Sequence, residues 1–394
     1  MTPPLPASRL DVLLREIDLP ERAYELAERR YEDLGEWIGR PESGLADYDT
    51  HIFVQGSFAL GTAIRPVNDS EEYDLDFSCK LRQGVTRQTH SQEQLKNLVG
   101  AELAAYRLAR QITHPLEPKN RCWRLQYRDE LPFHMDIVPG IRTDELQRQV
   151  LRERMASGGV PEVLARDIAR RALWITDKQH RQFRVLSPEW PSSNPGGYQL
   201  WFLSRMQPLA KGLLAEAQID PVPIYRSKTP LQQAVQLLKR HRDAMFAHDP
   251  ELKPASVILT TVAGQAYMSG EALPDAIHRI LQALEAVRAS DTDRILNPVN
   301  PLENFADRWV RPDCVNLHLK QNFHLWITQA RRDFAEVLAA THEQRLTEMV
   351  SDVFDVRVPE GAFRRFVATT AAASITPRHV SLSSPPARPW HEQE

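Results

Sequence analysis

Residues 54–77 read VQGSFALGTAIRPVNDSEEYDLDF, and the run closes with Glu72, Asp74 and Asp76 at every second position. Successive side chains on a strand point to opposite faces. Three carboxylates therefore share one face, while Tyr73, Leu75 and Phe77 take the other. Like charges at neighbouring same-face positions repel unless a cation neutralises them. Oxygen-only donors suit a hard ion, Mg²⁺ or Mn²⁺. A solvated edge strand would show the same alternation, so the residues upstream carry the decision. There the apolar run HIFVQ leads into Gly56-Ser57 and then FALGT. A glycine lets the backbone approach a ligand, and the N–H groups and hydroxyl that follow suit phosphate oxygens. A phosphate-cradling turn ahead of an acidic strand is the pattern of a magnesium–triphosphate site.

Such a site needs one more carboxylate, to complete the metal set and to take the proton of an attacking hydroxyl. Asp129, Glu130 and Asp136 lie downstream. The first two sit in the polar turn RDELP, where charge is unremarkable. Asp136 interrupts the mostly apolar run FHMDIV, where an unpartnered carboxylate is costly to bury. It is the preferred third acid.

GSFALGT, EYDLDF and FHMDIV together resemble the signature of the polymerase-β-type nucleotidyltransferases: a hydrophobic-Gly-Ser turn, an acid-hydrophobic-acid pair and a later third acid. Four further blocks narrow the resemblance: NPGGYQLWF (194–202), KTPLQQAVQLLKRHRD (228–243), KPASVILTTVA (253–263) and NPVNPLENFADRW (297–309). With these, residues 55–309 resemble the bacterial CD-NTases, the cGAS/DncV-like enzymes of CBASS antiphage signalling. The insertion RPVNDSE lengthens the gap from Ser57 to the acids. The tighter match of YDLDF makes Asp74, rather than Glu72, the first of the pair.

The resemblance implies an α+β fold, with a polymerase-β-like core of mixed sheet and a C-terminal helical domain like that of oligoadenylate synthetase. It implies catalytic, metal-binding roles for Asp74, Asp76 and Asp136, with two Mg²⁺ ions per site and Mn²⁺ as an alternative. It further implies nucleotide binding by Gln55, Gly56, Ser57, Lys239 and Ser256. The activity implied is synthesis of a cyclic di- or trinucleotide from ATP, GTP or both. The implied partners are a nucleotide-activated effector and a ubiquitin-transfer-like regulator acting at the C-terminus. Two other readings stand beside it: a template-free RNA-tailing enzyme, and a catalytically inert binding or toxin–antitoxin module on the same fold.

The remaining sequence fits this organisation. Residues 8–38 have helical period with a break expected at Pro20. HIFVQGS, YDLDFSCKL, CWRLQY and FHMDIV read as strands, and 86–112 reads as a helix capped by Thr86 or Thr89. The Pro/Gly/Ser-dense stretch 187–197 marks a connection. Beyond it, helices are expected at 200–217, 230–246, 255–269, 274–289, 323–346 and 358–373. The division is 1–195 for the core with its N-terminal bracing helix, 196–375 for the helical domain and 376–394 for a mobile tail. Lys239 is the ammonium of an otherwise apolar helical stretch, and helical spacing spreads Arg240, His241 and Arg242 around that helix. His241 and His248 have no third ligand at zinc spacing. Phe305 and Trp309 read as core residues of a structural corner.

Composition limits the function classes. A net charge of −3 supplies no global basic field, so no stable nucleic-acid partner is expected. Cys79, Cys122 and Cys314 form no CxxC pair or disulfide framework. The start of the chain lacks the pattern of a signal peptide, and no apolar run approaches bilayer length. The expectation is a cytoplasmic protein.

Overall fold

The structure is a computed structural model that describes residues 8–67, 72–128, 131–206, 220 and 227–366. Its helices are α1 (Arg9–Ile17), α2 (Glu21–Gly39), α3 (Gly56–Leu60), α4 (Gln92–Ala109), α5 (Glu145–Ser157), α6 (Glu162–Arg170), α7 (Pro195–Met206), α8 (Pro230–Met245), α9 (Ser256–Ala266), α10 (Leu273–Ala289), α11 (Leu319–Ala339) and α12 (Glu343–Phe354). Its strands are β1 (Thr50–Gln55), β2 (Tyr73–Leu81), β3 (Glu117–Pro118), β4 (Trp123–Tyr127), β5 (Phe133–Arg142), β6 (Leu173–Ile175), β7 (Ser192–Ser193), β8 (Leu296–Asn297) and β9 (Asn300–Asn304).

Among the described residues, β1 to β7 form one mixed sheet in the order β1-β2-β5-β4-β3, with β6 on the far end of β5 and β7 beside β6. The β2–β5 pair at its centre is parallel and the other pairs are antiparallel. Alternation gives the sheet one apolar face. Leu75, Phe77, Cys79, Met135, Ile137 and Leu125 are buried there against α2 and α4, with Tyr31 stacked on Phe77 at 4.9 Å. Each such large side chain contributes about 1.5–3 kcal/mol on burial. The opposite face carries the acids.

A second large core joins α7 to α12. Leu10, Leu13 and Ile17 of α1 pack into it, as do Leu151 and Met155 of α5 and Ile168 of α6. Pro20 separates α1 from α2 as expected, so one N-terminal helix serves each core.

His241 sits inside this helical core rather than at a metal. Trp326 Nε1–H donates to its Nδ1 at 3.0 Å, and its Nε2 lies 3.0 Å from Asp333 Oδ2. Replacing it by Leu strands a buried indole N–H and one oxygen of the Asp333 carboxylate, whose other oxygen keeps Gln329. His241→Leu should therefore cost about 2–4 kcal/mol in urea unfolding at neutral pH. A loss below about 1 kcal/mol would show that the network is not what holds α8 to α11.

Several boundaries differ from expectation. α4 begins at Gln92 with Ser91 as its cap, because Ser91 and Gln94 form a reciprocal capping box. The expected helix 323–346 is two helices, α11 and α12, broken at residues 340–342. Within 358–366 no α-helix forms; the chain makes a single 3₁₀ turn at Arg364–Phe366. Helices α5 and α6 went unread in the sequence. The expected tail at 376–394 lies outside the described residues.

Candidate active site

The polar face of the sheet is a grid of charged groups fixed by register. Asp76 of β2 lies opposite Asp136 of β5, and Asp74 opposite His134. Arg124 and Gln126 of β4 extend the two rows, and Gln55 of β1 closes the Asp76 row on the other side. The three sequence-derived acids thus share one face of two adjacent parallel strands.

They are not alone there. Arg124 grips Asp136 with both arms of its guanidinium, Nε to Oδ1 and Nη2 to Oδ2, each at 2.7 Å. His134 Nε2 lies 2.8 Å from Asp74 Oδ1, and its Nδ1 lies 3.2 Å from Glu72 Oε2. Glu72 falls just before β2 and also accepts from Gln126 Nε2. The expectation of uncompensated repulsion is thereby corrected: Arg124 and His134 offset much of it. Asp76 retains a carboxyl held well above its usual range, first by burial and then by the charges of Asp74 and Asp136. For His134, burial opposes the charged form, but the hydrogen bond and charge of Asp74 outweigh it and raise its pKa.

Gly56 packs directly on Asp76. Its φ is +65°, and a Cβ there would meet Asp76 Oδ2 at 2.2 Å. The glycine is needed for both reasons: its backbone conformation, and the space its missing side chain leaves for the carboxylate.

Helix α8 crosses above this turn. Gln232, Gln236 and Lys239 recur at helical spacing on one side of it and donate to the carbonyls of Leu60, Ala63 and Thr62 at 2.9, 2.7 and 2.9 Å. These bonds tie the helical core to the loop after Gly56-Ser57. Asn194 caps α7 nearby, accepting from Gly197 N–H at 3.0 Å. A Cβ on Gly197 would fill the space its side chain takes.

Between sheet and helices lies a cleft of about 460 Å³. Gly56, Ser57, Asp74 and Asp76 line one side, and Lys239, Arg242 and Ser256 the other. Ser256 Oγ accepts from Arg242 Nη1 at 2.7 Å. Arg242 also holds Asp243, whose pKa it and Lys253 keep low although burial works the other way. Two expected site residues stand back from the cleft wall. Gln55 accepts from Ser78 Oγ at 2.9 Å, and Asp136 faces Arg124. Phe305, read as a core residue, borders the cleft from the loop after β9, together with Glu303 and Asn297.

Lys239 is 7% exposed, so it is no snorkelling surface lysine. Burial, and then Arg242, push its ammonium down to about 8 from 10.5. The charged form is thus disfavoured in the folded chain, and that cost is relieved as pH rises from about 8 towards 10.5. Wild type should gain stability relative to Lys239→Met across this window. The test is the difference between paired urea melts at successive pH values. A flat difference would show that the amine is not held in a low-dielectric setting.

The donor set fits divalent ions. Asp74, His134 and Asp136 offer ligand atoms that lie within 4.8 Å of one another, and Asp76, opposite Asp136 in the register, is the fourth group of the grid. Carboxylate oxygens dominate, as hard cations require.

A mixed sheet with paired acids on its central parallel strands, a Gly-Ser turn at its edge and a helical lobe over the cleft defines the polymerase-β-type nucleotidyltransferase class. Residues 50–139 match the family described as "Cyclic GMP-AMP synthase DncV-like, nucleotidyltransferase domain". A c-di-GMP synthase of Roseivirga ehrenbergii is 29% identical over 71% of this chain and 66% of its own length. The cyclic dinucleotide synthase CdnG of Bradyrhizobium diazoefficiens is 27% identical over 81% of this chain and 74% of its own. The fold is that of the CD-NTase CdnG of Bradyrhizobium diazoefficiens, solved in complex with GTP: TM-score 0.63 at 22% identity, covering 91% of this chain and 98% of that one. CdnC of E. coli MS115-1, solved in complex with HORMA-deltaN, aligns with a TM-score of 0.55 at 15% identity over 87% and 94%. Residues 50–139 thus resemble a DncV-like nucleotidyltransferase domain, and the chain shares its fold with CD-NTases.

Proposed function

We propose that the protein makes a cyclic dinucleotide from NTPs, GTP among them, by attack of a ribose hydroxyl on the α-phosphate of a bound NTP, with pyrophosphate leaving. The observation that carries this is the pairing of Asp76 with Asp136 across parallel strands, with Asp74 beside them at a cleft walled by Ser57 and Lys239. The relatives named as cyclic dinucleotide synthases, and the GTP bound to CdnG, support the product class and GTP as a substrate. A cyclic trinucleotide and ATP remain within the same proposal as outcomes of its test.

In this reading Asp74, Asp76 and Asp136 hold two divalent ions, Mg²⁺ by preference and Mn²⁺ as a substitute. When bound, such ions sharpen the nucleophile and stabilise the leaving group. Gly56 and Ser57 offer N–H and hydroxyl groups to the triphosphate of the donor. Lys239 and Ser256 approach the same triphosphate from the helical side, the lysine gaining charge as phosphate replaces the lost solvation. In this reading Asp136 takes the attacking hydroxyl's proton once Arg124 releases it. Gln55 supports the turn at the edge of β1. Residues 1–195 act as the catalytic unit and 196–375 as the lobe that closes the cleft.

The setting we infer is cytoplasmic antiphage signalling, with a nucleotide-activated effector downstream. Among the described residues no helix is long and apolar enough to cross a membrane. A regulator acting at the C-terminus would use residues outside those described; the CdnC–HORMA-deltaN complex supports a protein partner for this fold.

Incubation with Mg²⁺ and each NTP mixture, followed by phosphatase and mass spectrometry, tests the proposal. Phosphatase-resistant cyclic dinucleotide is the expected product. Extension of an added RNA would favour a tailing enzyme, whose activity should fall steeply with salt. No turnover under any mixture would favour an inert module.

A further inference from the structure

Arg124 has no role in the proposal so far, yet it takes up both oxygens of Asp136. It reaches across from β4 at the matching register position, 28% exposed, to a carboxylate that is 14% exposed. A two-armed guanidinium–carboxylate pair is among the stronger and more directional contacts a protein makes. Partial shielding from water strengthens it further. An oxygen occupied by a guanidinium N–H cannot at once direct the same lone pair at a metal. Beside it, His134 meets two carboxylates with one nitrogen each, Nε2 at 2.8 Å from Asp74 Oδ1 and Nδ1 at 3.2 Å from Glu72 Oε2. Arg124 thus supplies Asp136 with a counter-charge from the chain itself.

We infer that Arg124 is a built-in counter-cation for Asp136, so that loading the site with a divalent ion is an exchange against this guanidinium rather than a simple addition. Arg124 therefore sets the ion concentration at which the site fills. It is a positioning residue: it acts on Asp136, not on the reacting atoms. Once released, its positive charge is free beside a cleft that receives polyphosphate, so ion and nucleotide should load together more readily than the ion alone. This rests on the proposal that Asp74, Asp76 and Asp136 are metal ligands.

The test is Mn²⁺ titration of the full chain without nucleotide, followed by the EPR signal of the free aquo ion. Arg124→Gln should bind Mn²⁺ about tenfold more tightly than wild type, the scale of losing one charge-assisted competitor. Arg124→Lys, which keeps the charge but loses the fork, should fall between them. Arg128 is the control, since it lies 3.5 Å from Glu72, is 61% exposed and does not touch Asp136. Arg128→Gln removes the same unit of charge and should change affinity less than about threefold. Unchanged or weaker binding in a well-folded Arg124→Gln overturns the inference, and so does equal tightening by Arg128→Gln. If Arg124→Gln does not fold, Arg124→Lys decides: it must bind more tightly than wild type. Absence of saturable Mn²⁺ binding in wild type and every variant would overturn the metal reading itself and this inference with it.

Discussion

Asp76→Asn should abolish NTP consumption, by at least about a thousandfold, because a two-ion site is asked for several kcal/mol of transition-state stabilisation and this residue would lose its charge towards it. The same substitution should leave the metal-free melt unchanged or raise it slightly. Burial, together with Asp74 and Asp136, holds the folded pKa of Asp76 above its unfolded value. The resulting cost to the fold sets in once pH exceeds the unfolded carboxylate range, near 3.9, and is present at neutral pH. Asn resembles the protonated acid in shape and carries no charge. Arg124 and His134 already offset part of the repulsion, so the gain should stay within about 1 kcal/mol. Paired thermal melts and a pyrophosphate-release assay check both halves. A melt well below wild type, or retained turnover, would mean that Asp76 serves the fold rather than the chemistry.

Gly56→Ala should also damage activity, less severely and by a different route. A methyl group would sit 2.2 Å from Asp76 Oδ2, so either the turn or the carboxylate must move. Displacement of a reacting-site group by about 1 Å commonly costs about 100-fold in rate, and that is the expected loss. The left-handed φ of +65° adds about 1–2 kcal/mol of backbone cost to the fold. Gly159 separates the two effects: its φ is +87° but nothing lies within 4 Å of the added methyl. Gly159→Ala should lose stability alone and keep its turnover. If Gly56→Ala turns over within about threefold of wild type while folded, the close approach of this turn to Asp76 is not needed for catalysis.

Short-range order was legible in the chain. Alternation in YDLDFSCKL and FHMDIV reports β2 and β5, and the 3.6-residue period reports α8, α9 and α10, because both signals arise from neighbours in sequence. The capping of α4 was missed because Thr86, Thr89 and Ser91 compete there, and Thr89 and Ser91 each have a glutamine three residues on. The split of 323–346 was missed because residues 340–342 carry no Pro or Gly to announce it. His134 did leave a signal: it precedes Asp136 by two, so on a strand it must share the face of the acid. Arg124 left the same kind of signal only for a reader who already knew the register of β4 against β5.

The sequence by itself determined which side chains face together along each strand and helix, and it put Asp74 with Asp76 on one face and Lys239 on a buried helix. Tertiary structure alone decided what each of them meets. The order β1-β2-β5-β4 makes Asp136 a neighbour of Asp76 on one side and of Arg124 on the other. The packing of α8 turns Lys239 onto the Thr62 carbonyl and the cleft. Local periodicity is a property of adjacent residues, whereas strand order, register and helix docking are settled by burying apolar surface from distant parts of the chain at once. The charge on the acidic strand was therefore readable from its own residues, and the cations that balance it were not.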